Sequence, residues 1–173
     1  DMIKVSHPVI NSSEFSISFW SKTNEFKSQI AMNLTPDDIN DRFAVVINYK
    51  HSGDTALFWD FGDISGSGRL SEFPLPEFVN VWEHYVMVSS SSKDSMMVYR
   101  DGILVYEAGY SDSVNDTNRV LRIGSGSNSY FFSGILDDVK IYNRALTSSD
   151  VSILSSESTI INCDNAVIDN ILE

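Results

Sequence analysis

Residues 96–106 read MMVYRDGILVY. Two apolar runs, 96–99 and 103–106, flank Arg100-Asp101-Gly102. Asp-Gly at such a junction is the preferred two-residue type I′ hairpin turn, because both of its central residues need positive φ. The stretch predicts two antiparallel strands. Outward from it the dominant pattern is alternation with period two, broken by clusters of Gly, Asn, Asp and Ser. Residues 14–22 alternate, with Phe15, Ile17 and Phe19 on one face and Ser16 and Ser18 on the other. Residues 43–50 place Phe43, Val45, Ile47 and Tyr49 together. Residues 56–61 set Phe58 against Leu57, Trp59 and Phe61. Residues 81–89 set Trp82, His84, Val86 and Val88 against Val81, Glu83, Tyr85 and Met87. Further strands are expected at 119–123 and 134–143, the second with Asp137, Val139 and Ile141 on one face and Leu136 and Tyr142 on the other.

Thr147-Ser148-Ser149-Asp150 ahead of Val151, Ile153 and Leu154 resembles a capping box and predicts one short helix. Short strands in series with a single late helix predict an all-β fold, a two-sheet antiparallel sandwich, rather than alternating β-α units. Residues 1–155 are expected to form that domain. The tail, 156–173, is expected to be a final strand, a short helix or a linker to a further module.

The chain has 173 residues, 12 Lys+Arg against 24 Asp+Glu, and a net charge of −12. One domain is the default at this length. The acid excess argues against nucleic acid and anionic membrane surfaces, which are held by Lys and Arg. It is compatible with cations, neutral sugars, basic proteins or simple solubility. No apolar run is long enough to insert as a membrane span. The chain opens on Asp1, as an excised domain or mature fragment would. Cys163, the sole cysteine, makes no internal disulfide. Asn11, Asn33 and Asn115 head Asn-x-Ser/Thr sequons.

The chemistry is sparse. A retaining glycosidase needs two carboxylates about 5 Å apart, and no Glu-x-Asp-x-Glu or Glu-x-Asp-x-x-Glu run occurs. There is no Gly-x-Ser-x-Gly elbow, and His7, His51 and His84 have no metal-ligand spacing. His84 reads as a packed, hydrogen-bonded histidine. These readings predict a protein that is not an enzyme. Asp137, on a face shared with Val139 and Ile141, would be a buried carboxylate, which must be hydrogen-bonded, paired or bound to a cation. Calcium, an oxygen-seeking ion, is one solution; backbone N–H donors at the sheet rim are the other. Loop acids Asp37, Asp38, Asp41, Asp112 and Asp116 read as solvated turn residues. For sugar binding, aromatic rings and loop amides are needed. Trp59, Phe61, Tyr130, Phe131 and Phe132, with Asn128 in the preceding loop, are the candidates, against a core role for each ring.

Three stretches carry a family likeness: FSISFW at 15–20, WEHYVMVSSSSKDSMMVYRDG at 82–102, and GILDDVKIYNRAL at 134–146 followed by the helix. Together they resemble the laminin G-like group of the concanavalin A-like lectin/glucanase superfamily, over about residues 10–154. The resemblance implies a jelly roll and an extracellular or cell-surface module within a larger chain. It implies binding of glycans or protein partners, with the domain itself monomeric. It also implies a structural calcium, with Asp137 at the position of a calcium-ligating acid. The acidic catalytic run of the glucanase branch is missing, and the charge of −12 departs from heparin-binding members.

Overall fold

The computed structural model describes residues 2–6, 10, 12–36, 42–51, 54–63, 68–72, 79–110, 112–114, 118–126 and 129–157. The strands are β1 (Ile3–Ser6), β2 (Glu14–Thr23), β3 (Met32–Thr35), β4 (Arg42–His51), β5 (Asp54–Gly62), β6 (Arg69–Glu72), β7 (Trp82–Ser90), β8 (Ser95–Arg100), β9 (Ile103–Gly109), β10 (Val120–Ile123) and β11 (Gly134–Tyr142), followed by α1 (Ser148–Glu157). They form a six-stranded sheet in the order β1-β10-β3-β4-β5-β6 and a five-stranded sheet in the order β11-β2-β7-β8-β9. Every pairing within them is antiparallel. This is the expected jelly-roll sandwich. The hairpin turn has φ of 50° at Asp101 and 81° at Gly102, as type I′ requires.

Alternation places the core. Phe15, Ile17 and Phe19 of β2 and Tyr85 and Met87 of β7 face Phe43, Val45 and Ile47 of β4 and Leu57, Trp59 and Phe61 of β5. Phe15 meets Phe61 edge-on at 5.6 Å and Trp59 at 6.3 Å. β7 and β8 are apolar on both faces because α1 covers the outer one. There Leu146 and Val151 pack with Val86, Val88, Met97 and Tyr99.

Polar contacts seat that helix. The Ser16 hydroxyl donates to the Arg144 carbonyl (3.0 Å) and accepts from Leu146 N–H (2.9 Å). Thr147 N–H donates to Asp150 Oδ2 (2.8 Å), and Asp150 N–H donates back to Thr147 Oγ1 (3.2 Å). The capping box is therefore closed on both sides. The Arg144 guanidinium, followed by the Thr147 donors, holds the Asp150 carboxyl well below the usual carboxylate range.

Two bulges correct the expected faces. Between Val46 and Tyr49, β4 advances three residues while β5 retreats two, with Asn48 at φ 48°. The extra residue turns Tyr49 from the core face to the outer one, beside Phe58. In β11 the same happens between Asp137 and Lys140, with Asp138 at φ 49°. Leu136, Val139 and Ile141 pack on the core. Asp137 pairs with Trp20, on the face opposite Ile17, and is exposed. Period-two reading is reversed by one inserted residue.

β1, β3 and β6, four residues each, had no counterpart in the pattern. A strand that short carries too few positions to show a period, and β3 is buried on both faces. Asn33, a sequon residue, is buried there at 2% exposure and donates to the Phe43 carbonyl, so the folded domain offers no glycan acceptor at this position. His7, Asn11, Asp37, Asp38, Asp41, Asn115, Asp116, Asn128, Cys163 and the tail from residue 158 lie outside the described residues.

Candidate functional site

The outer face of the six-stranded sheet carries a groove of about 460 Å³, lined by β4, β5, β6 and the segments that hold Ile30 and Tyr130. The β4 bulge supplies its aromatic floor. Tyr49 and Phe58 meet edge-to-face, with ring centroids 5.9 Å apart. Tyr130, half exposed at φ 55°, stands over one side. Backbone bonds fix its segment: Ile30 N–H donates to the Tyr130 carbonyl (2.9 Å) and Phe132 N–H to the Gly124 carbonyl (2.9 Å). The Gln29 side chain accepts from Ser133 N–H (2.8 Å) and donates to the Asn48 carbonyl (3.0 Å), tying this segment to the bulge itself.

The opposite end of the groove is charged. Asp60 of β5 lies directly across from Arg69 of β6. Arg69 donates from Nε to Oδ1 and from Nη2 to Oδ2, both at 2.7 Å, a bidentate pair of the strong, planar kind. Arg42 Nε of β4 lies 3.3 Å from Asp60 Oδ2. The Arg69 guanidinium also sits 5.1 Å from the centre of the Phe58 ring, a cation–π distance. The same alternation that puts Phe58 and Asp60 outward puts Trp59 and Phe61 inward.

The expected site residues therefore divide. Tyr130 lines the groove, and Phe131 is half exposed beside it. Trp59 and Phe61 are fully buried and pack in the core, so as sugar platforms they are corrected: they project between the sheets, where no ligand surface exists. Phe132 turns toward the core as well. Tyr49, Phe58, Arg42, Asp60 and Arg69 were not among the expected site residues. The one signal available was that residues 56–61 carry large groups on both faces, which a strand with a solvent-facing outer side does not need.

Asp137 is corrected too. It does not share the buried face, and its Oδ1 accepts from Asp138 N–H at 2.8 Å. Among the described residues no group of three or more His, Cys, Asp or Glu side chains is placed to hold a metal ion. His84 is buried, 2.8 Å from the Ser18 hydroxyl through Nε2 and tilted against Trp20, as a packed histidine.

Among the described residues Glu83 is a second buried acid, 2% exposed between the sheets. Tyr85 donates to its Oε2 (3.1 Å), and Arg100 Nε lies 3.9 Å from Oε1. Burial pushes the Glu83 carboxyl up from the ordinary value of 4.5. An acid whose folded value exceeds its unfolded one binds more protons when folded, so stability falls as pH rises from the unfolded value through the folded one. Glu83→Gln is expected to flatten that slope, so that the variant gains on the wild type as pH rises. Urea midpoints of both proteins from pH 5 to 8 would check it; parallel curves would contradict the assignment.

Two antiparallel sheets with one short helix, and an aromatic groove with a charged wall on an outer face, define a lectin-like jelly-roll domain. The chain belongs to the laminin G-like family of the concanavalin A-like lectin/glucanases superfamily, whose model matches residues 1–152. No curated protein sequence matches it. Among solved structures it is similar to domain 4 of AbnA, an extracellular arabinanase of Geobacillus stearothermophilus in complex with arabinotriose: 21% identity, 85% of this chain, 68% of that one, TM-score 0.61. It is similar to the Ruminococcus gnavus sialidase module bound to α2,3-sialyllactose at 12% identity, 83% of each chain and a TM-score of 0.64. It also resembles the botulinum neurotoxin serotype D binding domain, at 16% identity and TM-score 0.63, covering 92% of this chain and 40% of that one. At these identities the likeness is one of fold.

Proposed function

We propose that the chain is a non-catalytic carbohydrate-binding module of an extracellular protein, and that the groove over β4–β6 receives the glycan. The observation that carries this is the placement of Tyr49, Phe58 and Tyr130 around one open groove beside polar Ser71, Arg42 and Arg69. Apolar ring faces take the C–H faces of a sugar, and flanking donors take its hydroxyls. Two solved structures of the same fold hold oligosaccharides, which supports the reading. No helix among the described residues is long and apolar enough to cross a membrane.

A glycan array followed by calorimetry tests it. Tyr130→Ala and Tyr49→Ala are each expected to weaken the best ligand about tenfold, the worth of one ring contact of about 1.4 kcal/mol. Unchanged affinity in both would remove the groove from the reading. Running the titrations in calcium and in EDTA, with melting temperatures alongside, also tests whether calcium assists.

A second reading, a protein-interaction module, has its own observation. Trp82, Ile103 and Leu104 are 41%, 68% and 44% exposed at one end of the five-stranded sheet, where β7 and β9 both begin. An exposed apolar group of that kind suits a protein partner. Under this reading the domain has no sugar site, and Trp82→Ser abolishes partner capture.

A further inference from the structure

We infer that acid regulates the groove from inside the sandwich. Asn48 is a positioning residue for Tyr49, and the buried Glu83 carboxylate is the group that holds Asn48; this rests on the glycan-binding reading above. Asn48 is the bulge residue of β4, at φ 48° and 1% exposure. Its carbonyl accepts from Gln29 Nε2 (3.0 Å), whose Oε1 accepts in turn from Ser133 N–H (2.8 Å) in the segment that carries Tyr130. Its side chain reaches the opposite sheet. There Nδ2 donates to Thr23 Oγ1 of β2 (2.8 Å), and the amide also donates to the Glu83 carboxylate of β7. The bulge that turns Tyr49 outward is thus tied, through one side chain, to a titratable group of the other sheet.

Holding a bulge open requires only a residue that tolerates positive φ, and glycine does so with least strain. A buried amide and a buried carboxylate each carry a desolvation cost instead. What they add is a link whose strength changes with one proton. As a carboxylate, Glu83 only accepts hydrogen bonds; protonated, it carries a hydrogen of its own and offers less to the Asn48 amide. Among the described residues, the charged and titratable groups facing Glu83 are Tyr85 on β7, Arg100 on β8 and Asp101 in the hairpin turn. Burial pushes the carboxyl up. The Tyr85 hydrogen bond, the Arg100 charge and the Asn48 hydrogen bond draw it back, and the Asp101 charge raises it again. The balance lies above the ordinary 4.5. Mild acid therefore discharges Glu83, loosens Asn48 and shifts Tyr49 relative to Tyr130. Glu25 accepts from the Ser133 hydroxyl (2.9 Å) in the Tyr130 segment, but Lys27 and Ser133 hold its carboxyl below 4.5, so it titrates in a separate range. Coupling of this kind is reciprocal, so a sugar in the groove lowers the pH at which Glu83 takes its proton.

Carbon-13 NMR of the whole chain, labelled at tyrosine rings and glutamate carboxyls and followed from pH 4 to 8, tests the inference without a ligand. The Tyr49 signal, assigned with Tyr49→Phe, is expected to shift with the same inflection as the Glu83 carboxyl. In Glu83→Gln it should no longer follow that inflection. In Asn48→Gly, which keeps positive φ and deletes the amide, Glu83 should still titrate while Tyr49 stays still; this variant is the folded comparison if Glu83→Gln melts early. A glycan array at pH 5 and pH 7.5 reads the consequence: neutral glycans are expected to bind the wild type about threefold more weakly at pH 5, and Glu83→Gln equally at both. A Tyr49 signal that ignores the Glu83 inflection, or follows the same pH course in both variants, would overturn the inference and leave the glycan-binding reading standing. Equal wild-type binding at the two pH values would do the same. A blank array at both would overturn the glycan-binding reading, whatever the Tyr49 signal does.

Discussion

Replacing Trp59 by Ala is expected to cost about 3–5 kcal/mol of folding free energy, a large part of the stability of a domain this size. The ring is fully buried. It packs 5.1 Å from Phe61 and 6.3 Å from Phe15, and these aromatics come from both sheets. Its removal opens a cavity where the two sheets meet, and a β-sandwich has little freedom to collapse into one because both backbones are held by their ladders. The measurement is a urea midpoint read by far-UV circular dichroism. Trp59→Leu, which keeps more of the volume, should lose less. It should also leave groove binding unchanged, because Trp59 points away from the groove that its neighbours Phe58 and Asp60 line. Loss of sugar binding in a folded Trp59→Leu variant would show that the core assignment is incomplete.

Gly134→Ala is the second large effect, at about 2–4 kcal/mol of stability together with loss of groove binding. Gly134 has φ of 152°, in a region that L side chains rarely adopt. A Cβ there would overlap the Lys22 carbonyl oxygen, which is backbone near the end of β2 and has no rotamer with which to escape. The start of β11 would have to move. Tyr130 stands four residues before it, and the intervening Ser133 accepts from Asn24 N–H at 2.9 Å. The same displacement therefore loosens the segment that carries Tyr130. A variant with wild-type melting temperature and wild-type sugar affinity would contradict the argument. Gly109→Ala is the control: its nearest non-neighbouring contact to a Cβ is 3.8 Å, an ordinary packing distance.

The two substitutions bear on different links between sequence and site. Trp59 had seemed a candidate sugar platform because large rings on a strand serve equally as core or as binding surface. The sheet partner settles which: outer-face residues of β5 meet β4 and β6 side chains under solvent, and inner-face residues meet β2. Tyr130 and Phe131 could be read as exposed from their place after a glycine-rich loop, and both are half exposed. The cation wall was not readable at all. Arg42, Asp60 and Arg69 are far apart in sequence and meet only because β4, β5 and β6 are neighbours in one sheet.

Asp137 shows the same limit from the other side. Its expected burial followed from strict alternation with Val139 and Ile141. One extra residue at Asp138 puts it on the outer face. The expected face of Tyr49 failed for the same reason at Asn48. Both bulge residues are Asn or Asp, types that tolerate positive φ, but such residues are equally common in turns. The residue type permits a bulge without announcing it.

By itself, the sequence determined the all-β class, the type I′ hairpin at Asp101-Gly102, the capped helix after Leu146 and the family. These are short-range: a turn, a cap and a period-two pattern are properties of a few consecutive residues and their backbone preferences. Tertiary structure decided which aromatic rings are core, where Asp137 points, and that two guanidiniums share one buried carboxylate beside an aromatic floor. Those depend on strand order and on single-residue bulges. Both are set by how the two sheets bury their apolar faces against each other, which no local stretch of the chain encodes.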